Sequence, residues 1–117
     1  MTKEKQLLLK DLCARLPYEI YLHVPSGTDT LLGIGENLKY LTSYIDEGFK
    51  PYLRPMYSMT NEERAERVSL LWELEGHINE DVTYKYQDWL NAHHLDYRDL
   101  IPMGLAIEAP KGMYNIK

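Results

Sequence analysis

The side chains best suited to chemistry gather in one stretch, residues 86–109 (YQDWLNAHHLDYRDLIPMGLAIEA), which holds Trp89 and the adjacent pair His93 and His94. Two imidazoles near Asp88 and Asp96, with His77 upstream, are the residue types of a metal site or an acid–base centre. The spacing works against a shared ion, because neighbouring helical residues point about 100° apart whereas residues four apart share a face. One imidazole is therefore expected under Trp89 and the other in solvent. A small hydrolase or metal-dependent enzyme, the competing reading, would use His93, His94 and Asp96. The carboxylate pairs Glu73/Glu75 and Glu80/Asp81 resemble the two acids a glycosidase sets across its substrate, but on a helix and its trailing loop they read as a solvated face. Ser58, Ser69, Thr42 and Cys13 are candidate nucleophiles; none sits in a recognisable elbow or beside an identified base. The glycines of 33–36 (GIGE) lack the third glycine and the following helix of a dinucleotide loop. With no catalytic residue, metal ligand or cofactor motif assigned, the sequence reads as a non-enzymatic protein without a cofactor.

Contact chemistry is better represented. Of ten tyrosines, Tyr40, Tyr44, Tyr52 and Tyr57 flank Lys50 and Arg54. Large amphipathic rings beside a multidentate cation are the composition that protein interfaces favour. Pro51 and Pro55 fix φ and push the residues before them towards extended backbone, so residues 50–56 read as a stiff connector, neither an ordinary helix nor a central strand. Such a connector presents side chains at little ordering cost on binding. Tyr52, Arg54 and Tyr57 are accordingly expected to be partly exposed and to bind a protein partner. Arg54 has a structural alternative, its guanidinium tied to a carboxylate of the C-terminal half.

These residues need elements to carry them. Thr2 is an N-cap for a helix over residues 3–16 with Leu9, Leu12, Cys13 and Leu16 on one stripe, ended by Pro17. Residues 18–24 alternate, with Ile20 and Leu22 on one face and Tyr21 and His23 on the other. After the turn-forming 25–29 (PSGTD), a second strand over 30–36 completes a hairpin. Residues 38–45, rich in Tyr, Leu, Thr and Ile, read as a third strand. Thr60 and Glu63 form a capping box for a helix to about Gly76, with Ala65, Val68, Leu71 and Trp72 as its core stripe. Residues 77–83 read as a connection, and a third helix over 83–94 places Trp89 in the core. A short helical turn ended by Gly104 and an edge strand or apolar tail from Leu105 complete the chain. The fold class is α+β, a single domain over residues 1–117: an N-terminal helix, a small antiparallel β-meander of two to three strands, and two further helices packed on one face.

Composition supports this outline. A chain of 117 residues, 44% hydrophobic and 26% charged, is of ordinary single-domain size and makeup. The net charge of −5 argues against nucleic acid as a partner, since phosphate binding draws on a basic face. No apolar run has the length of a membrane span, the opening MTKEKQLLLKDL lacks the cleavage site of a signal peptide, and the single cysteine fits a reducing compartment. The expected location is cytoplasmic.

Residues 11–18 (DLCARLPY), 50–60 (KPYLRPMYSMT) and 88–110 (DWLNAHHLDYRDLIPMGLAIEAP) together resemble a group of small uncharacterised proteins of Bacteroides-type gut bacteria and their phages or mobile elements. The three segments cover a little over a third of the chain. The group has serine at position 57 and glycine at position 99, where this chain has Tyr57 and Asp99. The resemblance implies a bacterial or phage setting and an accessory role, and it implies no activity.

Overall fold

Helix α1, Lys3–Arg15, begins where the Thr2 hydroxyl accepts from the Lys5 amide at 3.2 Å and carries Glu4 in its first turn. Its buried face is Leu8, Asp11, Leu12 and Arg15, so an acid and a base share the apolar stripe. The computed structural model describes residues 2–33, 38–76 and 80–114. In it α1 is followed by strands β1 (Ile20–His23) and β2 (Asp29–Leu32), helix α2 (Leu38–Asp46) and strand β3 (Lys50–Leu53). A 3₁₀ turn (Met56–Ser58), helices α3 (Asn61–Gly76) and α4 (Glu80–Ala92), and strand β4 (Ile107–Glu108) complete it.

The sheet has the order β2-β1-β3-β4. β1 pairs antiparallel with β2 and with β3, while β4 joins β3 in parallel. The architecture is therefore α+β as the periodicity predicts, with a mixed four-stranded sheet in place of a purely antiparallel meander. β1 shows the expected alternation, Ile20 and Leu22 buried and Tyr21 and His23 half-buried. Gly27, at φ 101°, supplies the left-handed residue of the hairpin turn. The core joins Leu8 and Leu12 of α1 to Ile20, Leu22, Leu32, Leu41, Ile45, Leu53 and Leu100.

Two expectations fail here, for one reason. Residues 38–45 are not a strand but helix α2: Leu41 and Ile45, four apart, turn one helical face into the core against α1. Tertiary burial overrides the β-propensity of Tyr, Thr and Ile. Gly48, at φ 90°, closes α2, with its amide on the Ile45 carbonyl and the Phe49 amide on the Tyr44 carbonyl. The chain then enters residues 50–56, whose first four form β3, an interior strand rather than a connector. Pro51 is tolerated because β4 pairs only with Tyr52 and Leu53, so no β4 partner loses a bond to its missing amide.

The capping box is present in both directions: the Thr60 amide donates to Glu63 Oε1 at 2.8 Å and the Glu63 amide to Thr60 Oγ1 at 3.1 Å. The expected core stripe of α3, however, faces outwards. Val68 is 50% and Trp72 74% exposed, and Ala65 is exposed, whereas Glu63 and Leu70 are buried. On α4 it is Leu90 and Asn91 that are buried. Trp89 is half-buried and hydrogen-bonds Glu66 Oε2 at 2.9 Å, a correction to its expected place in the core. α4 begins at Glu80, within the expected connection. The 100–104 turn ends as predicted at Gly104, φ 77°. Residues 34–36 of the expected second strand, residues 77–79, and the side chains of Glu75, Glu80 and Asp81 lie outside the described residues. Among the described residues no helix is long and apolar enough to cross a membrane.

Candidate functional site

The polar groups singled out by sequence converge on the C-terminal end of α4. Arg54 follows β3 directly and is 4% exposed. Its Nη1 and Nη2 donate to Glu63 Oε2 and Oε1 at 2.8 and 2.7 Å, a two-pronged ion pair. The same nitrogens donate to the carbonyls of His93 at 3.0 Å and Ser58 at 3.1 Å. The Arg54 backbone donates to the His94 carbonyl and accepts from the Asp96 amide, each at 2.8 Å. Glu63 accepts in addition from the Thr60 amide, and His93 Nδ1 lies 2.7 Å from its Oε2. One carboxylate thus caps α3, pairs with the sheet and meets the end of α4.

A second buried pair adjoins the first. Asp11 and Arg15, both 0% exposed, bond at 2.7 and 3.0 Å, and Arg15 Nη2 donates to the Leu95 carbonyl at 2.8 Å. Arg98 Nη1 donates to Asp11 at 2.7 Å, and both guanidiniums lie over the Tyr97 ring. The carbonyls of 93, 94 and 95 are therefore all taken by Arg54 or Arg15. These carbonyls lie just past Ala92, the last residue of α4, so the two guanidiniums bond the segment that leaves the helix and sit near its negative end. Asp11 and Arg15 had a sequence signal that was overlooked, an acid and a base four apart on the same face as Leu8 and Leu12.

The proposed enzymatic trio is divided among separate tasks. His93 packs against Trp89 with centroids 4.4 Å apart and the rings tilted at 38°, as expected of one imidazole. His94, expected in solvent, instead lies on the Tyr114 ring at 3.8 Å and has φ 60°. Burial, helped by Arg15 and Arg54, holds its pKa down to about 4, so it is neutral. Asp96 is buried and accepts from the amides of Leu100 and Ile101 at 2.8 and 2.9 Å, capping the turn that ends at Gly104. Among the described residues no three His, Cys, Asp or Glu side chains are grouped to hold a metal ion.

The three expected contact residues also separate. Arg54 is a brace, and Tyr52, at 9% exposure, is a core ring whose hydroxyl donates to Asp29 Oδ1 at 2.8 Å beside His23 Nδ1 at 3.1 Å. The expectation of exposure fails for both because residues 50–54 are enclosed by β1 on one edge and by β4 and Leu95 on the other. Tyr57 is 73% exposed and its hydroxyl bonds Glu108. Beside it a cleft of about 690 Å³, within the usual size of a ligand site, runs between the 3₁₀ turn and residues 108–114, lined by Pro55, Ser58, Thr60, Pro110, Lys111 and Tyr114.

The network predicts how stability depends on pH. Glu63 is held down from 4.5 to about 2, chiefly by the Arg54 hydrogen bonds and against burial. Its contribution is complete above the unfolded value near 4.5 and is lost as pH falls towards 2. His94, lowered from 6.5 to about 4, disfavours the folded state once pH falls below 6.5, with the penalty complete near 4. Both act in the same direction, each on the order of 3 kcal/mol at most. Denaturant melts from pH 7 to pH 3 should show stability falling from pH 6.5 downwards; a flat profile between 6.5 and 4 would contradict a neutral, buried His94. Comparison with known proteins finds no match to a family model, a curated protein or a solved structure.

Proposed function

We propose that this protein is a non-enzymatic interaction module, working in the cytoplasm as an accessory protein of a bacterial or phage system, and that it docks a protein partner on the outer face of the α3–α4 hairpin. The observation that carries this reading is the outward stripe of Ala65, Val68 and Trp72, exposed although its helical spacing is that of a core face. The cross-helix contacts Glu63–His93, Glu66–Trp89 and Glu73–Lys85 run antiparallel and draw on other faces of α3, so α4 leaves this stripe uncovered. An exposed tryptophan on an apolar stripe is the kind of anchor that interfaces use most. Exposed Glu62, Glu66 and Glu73 flank the stripe, and residues 61–100 carry ten acids against four bases, so the partner's complement is an apolar centre with a basic rim. Tyr57, the exposed member of the expected contact set, is a second anchor.

Crosslinking and affinity capture from a bacterial host lysate test the reading with the parent, Trp72→Ala and Tyr57→Ala. Both variants should keep their unfolding free energy within about 0.5 kcal/mol, as surface changes do. Trp72→Ala should lose the captured protein, and Tyr57→Ala should weaken its capture. Retention of the same protein by folded Trp72→Ala at parental yield would reject the α3 face as the docking surface.

A further inference from the structure

The register of β1 and β3 stops early. Leu22 pairs with Pro51 and His23 with Lys50, so Tyr21 and Tyr52 are the next partners, yet the hydroxyl of Tyr114 stands between them. It accepts from the Tyr21 amide at 3.0 Å and donates to the Tyr52 carbonyl at 2.7 Å, replacing a ladder bond by a two-step bridge. The ring is held as specifically as the hydroxyl, stacked on His94 at an interplanar angle of 12° and tilted against Tyr21 at 5.7 Å. A flat ring with one hydroxyl that both donates and accepts is what this slot selects; phenylalanine lacks the bridge, and a lysine has no acceptor.

In the segment that brings Tyr114 here, Ala109 and Met113 pack against the core while residues 110–112 are exposed. After the Ala109 amide bonds the Leu53 carbonyl, residues 110–113 form a turn closed by the Met113 amide on the Pro110 carbonyl, with Gly112 at φ 87° and open space where a Cβ would stand. Clefts of about 690 and 470 Å³ lie on its two sides, and Gly112 and Tyr114 border both. Arg54 lines one cleft and His94 the other, and Arg54 Nε and His94 Nδ1 are buried without a hydrogen-bond partner among the described residues. Lifting the strap would join the clefts into one groove across these two side chains.

We propose that the gap between β1 and β3 is a binding site for a tyrosine side chain, occupied in cis by Tyr114, and that the 109–114 strap is a latch which a tyrosine presented by another polypeptide displaces. The occupant is defined by chemistry, a phenol whose hydroxyl bridges the Tyr21 amide to the Tyr52 carbonyl and whose ring covers His94. This site is separate from the α3 face, so it stands whether or not a partner docks there.

Amide hydrogen exchange on the parent protein tests the latch. The Tyr21 amide depends on Tyr114, whereas its β1 neighbours pair with β2, so Tyr21 and Met113 should exchange together and at least about tenfold faster than the β1–β2 ladder. Exchange of Tyr21 only at the ladder's rate would overturn the proposal. p-Cresol then probes the slot in full-length Tyr114→Ala. The unfolding midpoint of the variant should rise with p-cresol, toluene should bind about tenfold more weakly for want of the hydroxyl, and the parent should not respond. Equal responses of parent and variant, or of toluene and p-cresol, would overturn it as well. Should Tyr114→Ala not fold by itself, saturating p-cresol, and not toluene, should restore its cooperative unfolding transition, and no rescue counts against the site.

Discussion

Arg54→Ala is expected to cost about 3–5 kcal/mol of folding stability, the range for removing one partner of a buried ion pair. The size follows from what is left behind. Glu63 is 4% exposed and would keep a charge with, among the described residues, the Thr60 amide and His93 left to offset it, and the carbonyls of Ser58 and His93 would lose their Arg54 donor. The carboxylate would also lose the main cause of its low pKa, so acid should unfold the variant at a higher pH than the parent. Arg54→Lys should rescue little, because an ammonium cannot reproduce the planar fork across both Glu63 oxygens. Glu63→Gln in the Arg54→Ala background should cost less than in the parent, since the charge it removes is then already unpaired. Urea melts of the five proteins decide the matter. A loss under about 1 kcal/mol for Arg54→Ala would mean that the pair is effectively solvated and that the strand, 3₁₀ turn and two helices are held by their apolar contacts alone.

How much of this was legible in the sequence depends on whether the signal was local. The Thr2 cap, the alternation of β1, the Gly27 turn, the Thr60–Glu63 box and the Gly104 stop are each decided within a few residues, and the structure keeps all of them. α2 was misread because its composition favours a strand, and only the packing of Leu41 and Ile45 against α1 decides otherwise. The stripe of α3 was misassigned because periodicity identifies an apolar face without identifying what covers it; the hairpin with α4 turns Glu63 and Leu70 inwards and leaves Trp72 outside. Arg54 shows the same limit from the polar side. Two prolines marked its segment as unusual, and the structural alternative for its guanidinium was visible, but its enclosure depends on Leu95, 41 positions further along the chain. Tyr114 gave no signal at all, since its partners Tyr21 and Tyr52 are defined by a strand register that local sequence does not contain.

Asp11→Ala should be as damaging as Arg54→Ala, about 3–5 kcal/mol, and more damaging than the removal of either of the arginines it holds. Asp11 and Arg15 are both 0% exposed, and Asp11 also accepts from Arg98, so its removal leaves two guanidiniums without their carboxylate. Arg15 cannot escape to water, because its Nη2 is fixed to the Leu95 carbonyl and the side chain lies between α1 and the Tyr97 ring. Arg98, with 15% of its side chain exposed, can turn outwards, so Arg98→Ala leaves the Asp11–Arg15 pair intact and should cost only about 1.5–3 kcal/mol, near that of one charge-assisted hydrogen bond. Arg15→Ala falls between, since Asp11 keeps Arg98 but the Leu95 carbonyl loses its donor and the core gains a cavity. The expected order of loss is thus Asp11→Ala, then Arg15→Ala, then Arg98→Ala, read from denaturant midpoints with a common slope. If Arg98→Ala proved as costly as Asp11→Ala, the anchor of α1 to the end of α4 would lie in the outer arginine and its cover over Tyr97 rather than in the buried pair.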